Sequence, residues 1–187
     1  MTDQQPAPAG RTRDRDHWER WEQARTSGPH VFSTLGFRRV RWDPEATVLA
    51  WDAPAEYGFP ANDGYIVHGG LVATILDTAM GGAAWTVLDD DEVFLTADLR
   101  VEFLRAAHPG PLRATGTVLR RTRRVVFCAG ELHDDAGKLL AASRCTQLVL
   151  PADGAAGRYG RGADAVDRPD GQGDGGAPPR ASGTMEA

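Results

Sequence analysis

HGGLVATILDTAMGGAAW, residues His68 to Trp85, is the stretch that decides the fold of this 187-residue chain. Leu71, Val72, Ile75, Leu76, Ala79, Met80, Ala83, Ala84 and Val87 recur at helical spacing, which predicts a helix with a wide apolar face that other structure must cover. Such a helix lies at the centre of a domain. A glycine pair opens it, so the N–H groups of Gly69 and Gly70 are unsatisfied donors at the positive end of the helix dipole, suited to a developing oxyanion. Asp77 is the one acidic residue of the stretch. It is a candidate base or nucleophile; the bland reading is a surface acid on a polar edge with Thr74 and Thr78.

Distance constrains how these groups could act together. Gly69 and Asp77 are eight residues apart, and a helix rises ~1.5 Å per residue, which separates them by roughly 12 Å. One carbonyl cannot touch both. A two-fold dimer with antiparallel helices resolves this by facing Gly69 of one chain to Asp77 of the other, and the small residues Gly81, Gly82, Ala83 and Ala84 allow close approach.

With its flanks, the stretch resembles the hotdog-fold acyl-CoA thioesterases of the PaaI-like, phenylacetic-acid branch. The matching residues are Asn62, His68-Gly69-Gly70, Leu76-Asp77-Thr78-Ala79, the strand pattern TADLRVEFLRAA from Thr96 to Ala107, and GPLRATGTVLRRTRR from Gly110 to Arg124. The resemblance implies an α+β fold of one long central helix wrapped by a mostly antiparallel sheet of five to six strands. It also implies that Asp77 is the catalytic carboxylate, Gly69 the oxyanion donor, Asn62 a helper at the thioester, and Thr96 the hydroxyl that helps place water. His68, Gly70 and Thr78 are expected to line the substrate site, with His68 bonding to the loop around Asn62.

Seven arginines lie between Arg100 and Arg124, and Arg120, Arg121, Arg123 and Arg124 cluster where one strand should turn into the next. Guanidinium groups take phosphate in bidentate fashion, so the cluster is a candidate holder for the nucleotide of coenzyme A. A solvated turn is the bland alternative, because Lys138 is the sole lysine and arginine does nearly all the basic work of this chain. The net charge of -5 argues against general nucleic-acid binding. Cys128 and Cys145 sit in apolar strand patterns without metal-ligand spacing and read as reduced, packed thiols. The run Asp89-Asp90-Asp91-Glu92 reads as a solvated loop, so no metal is expected, and no cofactor beyond the coenzyme A of the substrate.

Three regions are expected. Residues 1–30 form a polar extension with a short helix carrying Trp18 and Trp21, 31–150 the catalytic domain, and 151–187 a disordered Gly/Pro-rich tail. No apolar run approaches a membrane span and the N-terminus lacks an apolar signal core, so a cytoplasmic protein with no membrane partner is expected. The expected macromolecular partner is a second copy, giving a homodimer and, beyond it, a dimer of dimers. In detail, Leu35 to Val40 and Ala46 to Asp52 read as strands, EYGFPANDGYIV as a loop, and Leu95, Ala97, Leu99, Val101 and Phe103 as the buried face of a strand whose other face carries Thr96.

The expected activity is hydrolysis of an aromatic or medium-chain acyl-CoA, with Phe59, Tyr65, Met80, Trp85 and Phe94 as candidate pocket walls. An enoyl-thioester hydratase using Asp63 and His68 is one alternative, weakened because Tyr65-Ile66 stands between them and Asp77 would have no task. A non-catalytic acyl-thioester binding protein is the other.

Overall fold

A computed structural model describes residues 31–44, 46–62 and 64–152. The N-terminal extension with Trp18 and Trp21, Asp63, and nearly all of the tail lie outside the described residues. In chain order the elements are α1 (Val31–Leu35), β1 (Arg38–Trp42), β2 (Thr47–Ala53), a 3-10 turn (Ala55–Tyr57), β3 (Gly58–Ala61), β4 (Gly64–Val67), α2 (Gly69–Trp85), β5 (Glu92–Phe103), β6 (Gly110–Arg121), β7 (Val125–Asp134) and β8 (Leu139–Pro151). Six strands make one antiparallel sheet in the order β1-β2-β6-β7-β8-β5, and β3 pairs with β4 in a separate hairpin. Helix α2 packs across the inner face of the six-stranded sheet, which is the hotdog arrangement.

The packing follows from the sequence pattern. Val72, Ile75, Leu76, Ala79, Met80, Ala83 and Ala84 of α2 are buried against Leu49, Trp51, Ala114, Val126, Cys128, Leu132 and Cys145 of the sheet. The helix lies unusually close. A Cβ built on Gly116 of β6 would come within 2.3 Å of the Ala79 carbonyl oxygen, so at that point helix backbone rests on strand backbone. Cys128 and Cys145 face each other across β7 and β8 as buried free thiols. The hydrogen bond between them, reinforced by burial, holds Cys128 neutral, far above its ordinary titration range.

Three local expectations need correction. Leu35 ends a short helix and the first strand begins at Arg38, because Gly36, at φ 76°, closes the helix in the left-handed region. Residues Gly58–Val67 form a hairpin instead of a loop, with Phe59 opposite Ile66 and Pro60 opposite Tyr65. The third correction matters most. β5 pairs Thr96 with Gln147 and Asp98 with Thr146, so Ala97 is an extra residue, a β-bulge. The bulge shifts the alternation by one: Phe94 and Thr96 turn toward the helix with Leu99, Val101 and Phe103, while Leu95 turns outward and is exposed.

Candidate active site

Helix α2 and strand β5 run alongside each other in opposite directions. A Cβ on Gly69 would meet the Phe103 ring at 3.3 Å, Asp77 is bonded to Thr96, and a Cβ on Gly81 would meet the Phe94 ring at 3.1 Å. The helix start therefore lies at one end of β5 and Asp77 toward the other. Both groups belong to one unbroken 17-residue helix, so the ~12 Å separation set by the helical rise holds within the protomer.

At the first end, His68 caps α2. Its ring Nδ1 accepts the Gly70 N–H at 2.9 Å, while its carbonyl takes the N–H groups of Leu71 and Val72. A Cβ on Gly70 would sit 3.0 Å from that ring nitrogen, a tight approach that favours glycine two residues after the capping histidine. The cap corrects two expectations: His68 bonds to its own helix, not to the loop around Asn62, and the Gly70 N–H is already taken. Gly69 N–H finds no acceptor among the described residues and remains the donor at the helix start.

At the other end, Asp77 is half-buried, and Thr96 Oγ1 donates a hydrogen bond to Asp77 Oδ1 at 3.0 Å. Burial pushes the carboxyl above the ordinary aspartate value of 3.8, and the Thr96 hydroxyl partly offsets it by favouring the ionised form. A desolvated carboxylate oriented by one hydroxyl is a stronger base than one in water. Thr78 donates its hydroxyl to the Thr74 carbonyl one turn back.

Asn62 lies at the tip of the β3-β4 hairpin, beyond the Ala61/Gly64 pair, and is exposed. The tip is roughly 13 Å of strand from the hairpin end that adjoins His68. The arginine cluster divides. Arg123 and Arg124 form an exposed two-residue turn closed by the Thr122 and Val125 backbone groups, and Arg120 is exposed beside it. Arg121 does not join them: a second bulge, between Val118 and Arg120, turns it inward, where it pairs with Glu92 and lies 3.7 Å from Asp89. That pairing also corrects the reading of the acidic run as merely solvated. Among the described residues no His/Cys/Asp/Glu group could hold a metal ion, and no helix is long and apolar enough to cross a membrane.

The thioesterase superfamily profile matches residues 64–141. The medium/long-chain acyl-CoA thioesterase YigI of Escherichia coli K12 is 31% identical over 129 residues, covering 62% of this chain and 82% of that protein. The chain belongs to the thioesterase superfamily. A Saccharolobus solfataricus protein described as an esterase, SSO2140, is 38% identical over 121 residues, covering 64% of this chain and 83% of that protein. Among solved structures, a phenylacetic acid degradation-related thioesterase from Ralstonia eutropha JMP134 superposes with a TM-score of 0.62 at 28% identity, covering 70% of this chain and 98% of that one. Within the superfamily match lie the whole of α2 and β5, and so Gly69, Asp77 and Thr96.

Proposed function

We propose that this protein is an acyl-CoA thioesterase acting on aromatic or medium-chain acyl groups, with its active site shared between two chains. The observation that carries the reading is the half-buried Asp77 carboxylate held by Thr96 on the one helix whose start presents the Gly69 N–H. Family membership supports the chemistry, and the acyl-CoA thioesterase among its relatives supports the substrate class.

β5 is an edge of the sheet in the protomer, twelve residues long, with exposed Leu95 and Phe103. A long open edge invites pairing with another strand. Antiparallel pairing of two β5 strands about a two-fold axis near Leu99 and Arg100 sets Thr96 of one chain level with Phe103 of the other. Since Asp77 accompanies Thr96 and Gly69 accompanies Phe103, the acid of one chain then faces the donor of its partner. Two such dimers are proposed to associate further.

In this site the Asp77 carboxylate takes a proton from water as the hydroxyl oxygen attacks the thioester carbonyl. Gly69 N–H of the facing chain stabilises the resulting oxyanion. Collapse breaks the C–S bond, and the protonated Asp77 returns its proton to the departing coenzyme A sulfur, leaving a carboxylic acid and a thiol. Direct attack by Asp77 Oδ2 through an anhydride uses the same groups. Thr96 keeps the carboxylate aimed, and Arg120, Arg123 and Arg124 hold the phosphates.

A mixing experiment tests the reading. Asp77→Asn and Gly69→Pro proteins, the second lacking the N–H, should each lose at least ~100-fold in thiol release from acyl-CoA. Mixed and allowed to exchange, they should recover roughly a quarter of wild-type activity, since half the dimers are then hybrids with one intact site. Near-normal turnover by Asp77→Asn removes the catalytic assignment; inactive hybrids remove the shared site.

A further inference from the structure

Gln147 is fully buried on the inner face of β8, yet its amide is satisfied at one end alone. Nε2 donates to the Cys145 sulfur at 3.2 Å, and Oε1 has no hydrogen-bond partner among the described residues. A buried acceptor without a donor destabilises a fold, so its presence in a packed sheet calls for a reason. The neighbours on that face narrow the choice. Val126 of β7 is in register on one side and Val149 lies two residues on along β8, both apolar and buried, while Cys145, two residues back, already takes the NH2 end. Cys128 keeps its own proton through its bond to Cys145, so that sulfur accepts from both thiol and amide and holds Gln147 with its oxygen turned away. The remaining neighbour is Thr96 of β5, directly opposite in register. Side chains paired in this way on one face stand ~5 Å apart at Cβ, and Thr96 carries the hydroxyl that holds Asp77.

We propose that Gln147 is a positioning residue that acts through Thr96: its Oε1 takes over the Thr96 hydroxyl while Asp77 holds the proton it has removed from water. The proposal rests on the reading of Asp77 as the base. While Asp77 is ionised, Oδ1 is a charged acceptor and keeps the Thr96 O–H, as in the structure. Once Oδ2 has taken a proton, Oδ1 belongs to a neutral acid and accepts more weakly. The Thr96 hydroxyl turns about its C–O bond and the terminal torsion of glutamine is soft, so the hydroxyl hydrogen swings from Oδ1 to Oε1 and no covalent bond changes. When Asp77 gives its proton to the departing sulfur, the recovered carboxylate draws the hydroxyl back. Gln147 therefore favours the protonated acid, whereas the Thr96–Asp77 bond favours the ionised one. The ionisable groups on the packed elements around this pair are Cys145 on β8, Cys128 on β7, Asp98 on β5 and, at the far end of the row, Arg121 on β6 with its partners Glu92 and Asp89. The inner face of β2 brings Thr47, Leu49 and Trp51.

Gln147→Met keeps an unbranched side chain of similar size and removes the oxygen. Assayed on the full chain with octanoyl-CoA and phenylacetyl-CoA, it should lower kcat about threefold or more and leave KM within about twofold. It should melt no lower than wild type, because an unpaired buried acceptor is gone. Followed without substrate by carbon NMR of the Asp77 carboxyl, the Asp77 midpoint should move down, since the protonated form has lost its support; Thr96→Val should move it up. In a Thr96→Val background, Gln147→Met should change neither kcat nor the midpoint. A midpoint that stays or rises, or an equal effect in both backgrounds, overturns the proposal and makes Gln147 a packing residue. If Gln147→Met does not fold, the wild-type chain carries the test: the Gln147 side-chain carbonyl carbon should titrate with the Asp77 midpoint, and that response should vanish in Thr96→Val. A response that persists there, or none in wild type, overturns it equally. If wild type releases no thiol from either ester, the hydrolase reading falls, and the NMR titrations still decide the role of Gln147.

Discussion

Two bulges lie at the same end of one sheet and do the same thing to the backbone. In β5 the extra residue Ala97 turns Thr96 inward; in β6 the irregularity at Leu119 turns Arg121 inward. Arg121, Val126, Gln147 and Thr96 even fall in one row across β6, β7, β8 and β5. The outcomes differ because of what each side chain meets. Thr96 meets a half-buried carboxylate for which it is the one hydrogen-bonding side chain among the described residues. Arg121 meets two acids, Glu92 and Asp89, that neutralise it. The same local device thus places a hydroxyl on the proposed catalytic carboxylate in one strand and makes an ion-pair clasp in the other, according to whether the polar groups are left balanced.

Exchanging the consequences of the two would break this comparison. Thr96→Val should lower kcat about 10- to 100-fold while leaving the thermal midpoint nearly unchanged, and the acid limb of the pH–rate profile should move up, because the hydroxyl that favours the ionised Asp77 is gone. An unmoved limb with normal kcat would make Thr96 a bystander. Removing the three exposed guanidinium groups together, Arg120→Gln, Arg123→Gln and Arg124→Gln, should raise KM for CoA esters about tenfold and barely alter KM for pantetheine esters. Equal effects on both would return the turn to simple solvation.

Arg121→Gln should show the opposite pattern, a stability loss of ~1–2 kcal/mol read by denaturant titration with little change in KM. The smallest effect concerns Asp77 and stability. Its carboxyl titrates higher in the folded chain than in the unfolded one, so the ionised form opposes folding, and stability is lost as pH rises from the unfolded value through the folded one. Asp77→Asn should therefore melt slightly above wild type near neutral pH, with the gap closing once the wild-type carboxyl is protonated in acid. A variant less stable at every pH would mean that burial does not govern this group.

How much could be read beforehand follows the range of each interaction. The central helix, its glycine start and Asp77 were evident because periodicity and capping are local to a few turns of chain. Strict alternation assigned Thr96 to the solvent face, and only the resemblance brought it to the site; a one-residue bulge leaves no mark on an apolar/polar count. Arg121 was grouped with its exposed neighbours because its partner Glu92 is 29 residues away in sequence. The β3-β4 hairpin was masked by Gly58, Pro60 and Gly64, which read as loop residues although the Gly58 backbone approaches Ile66 too closely to admit a side chain.

Gly116 has a mechanical consequence. It sits two strands away from β8 and three from Thr96, touches no reacting group, and fixes the height at which the helix rides over the sheet, since backbone meets backbone there. Asp77 lies half a turn before Ala79, the residue resting on it. Any side chain at that spot would act as a shim under the helix, lifting the carboxylate by a fraction of an ångström from a hydroxyl 3.0 Å away. The clearance of the Asp77–Thr96 hydrogen bond is thus set by an absent methyl group on a different strand.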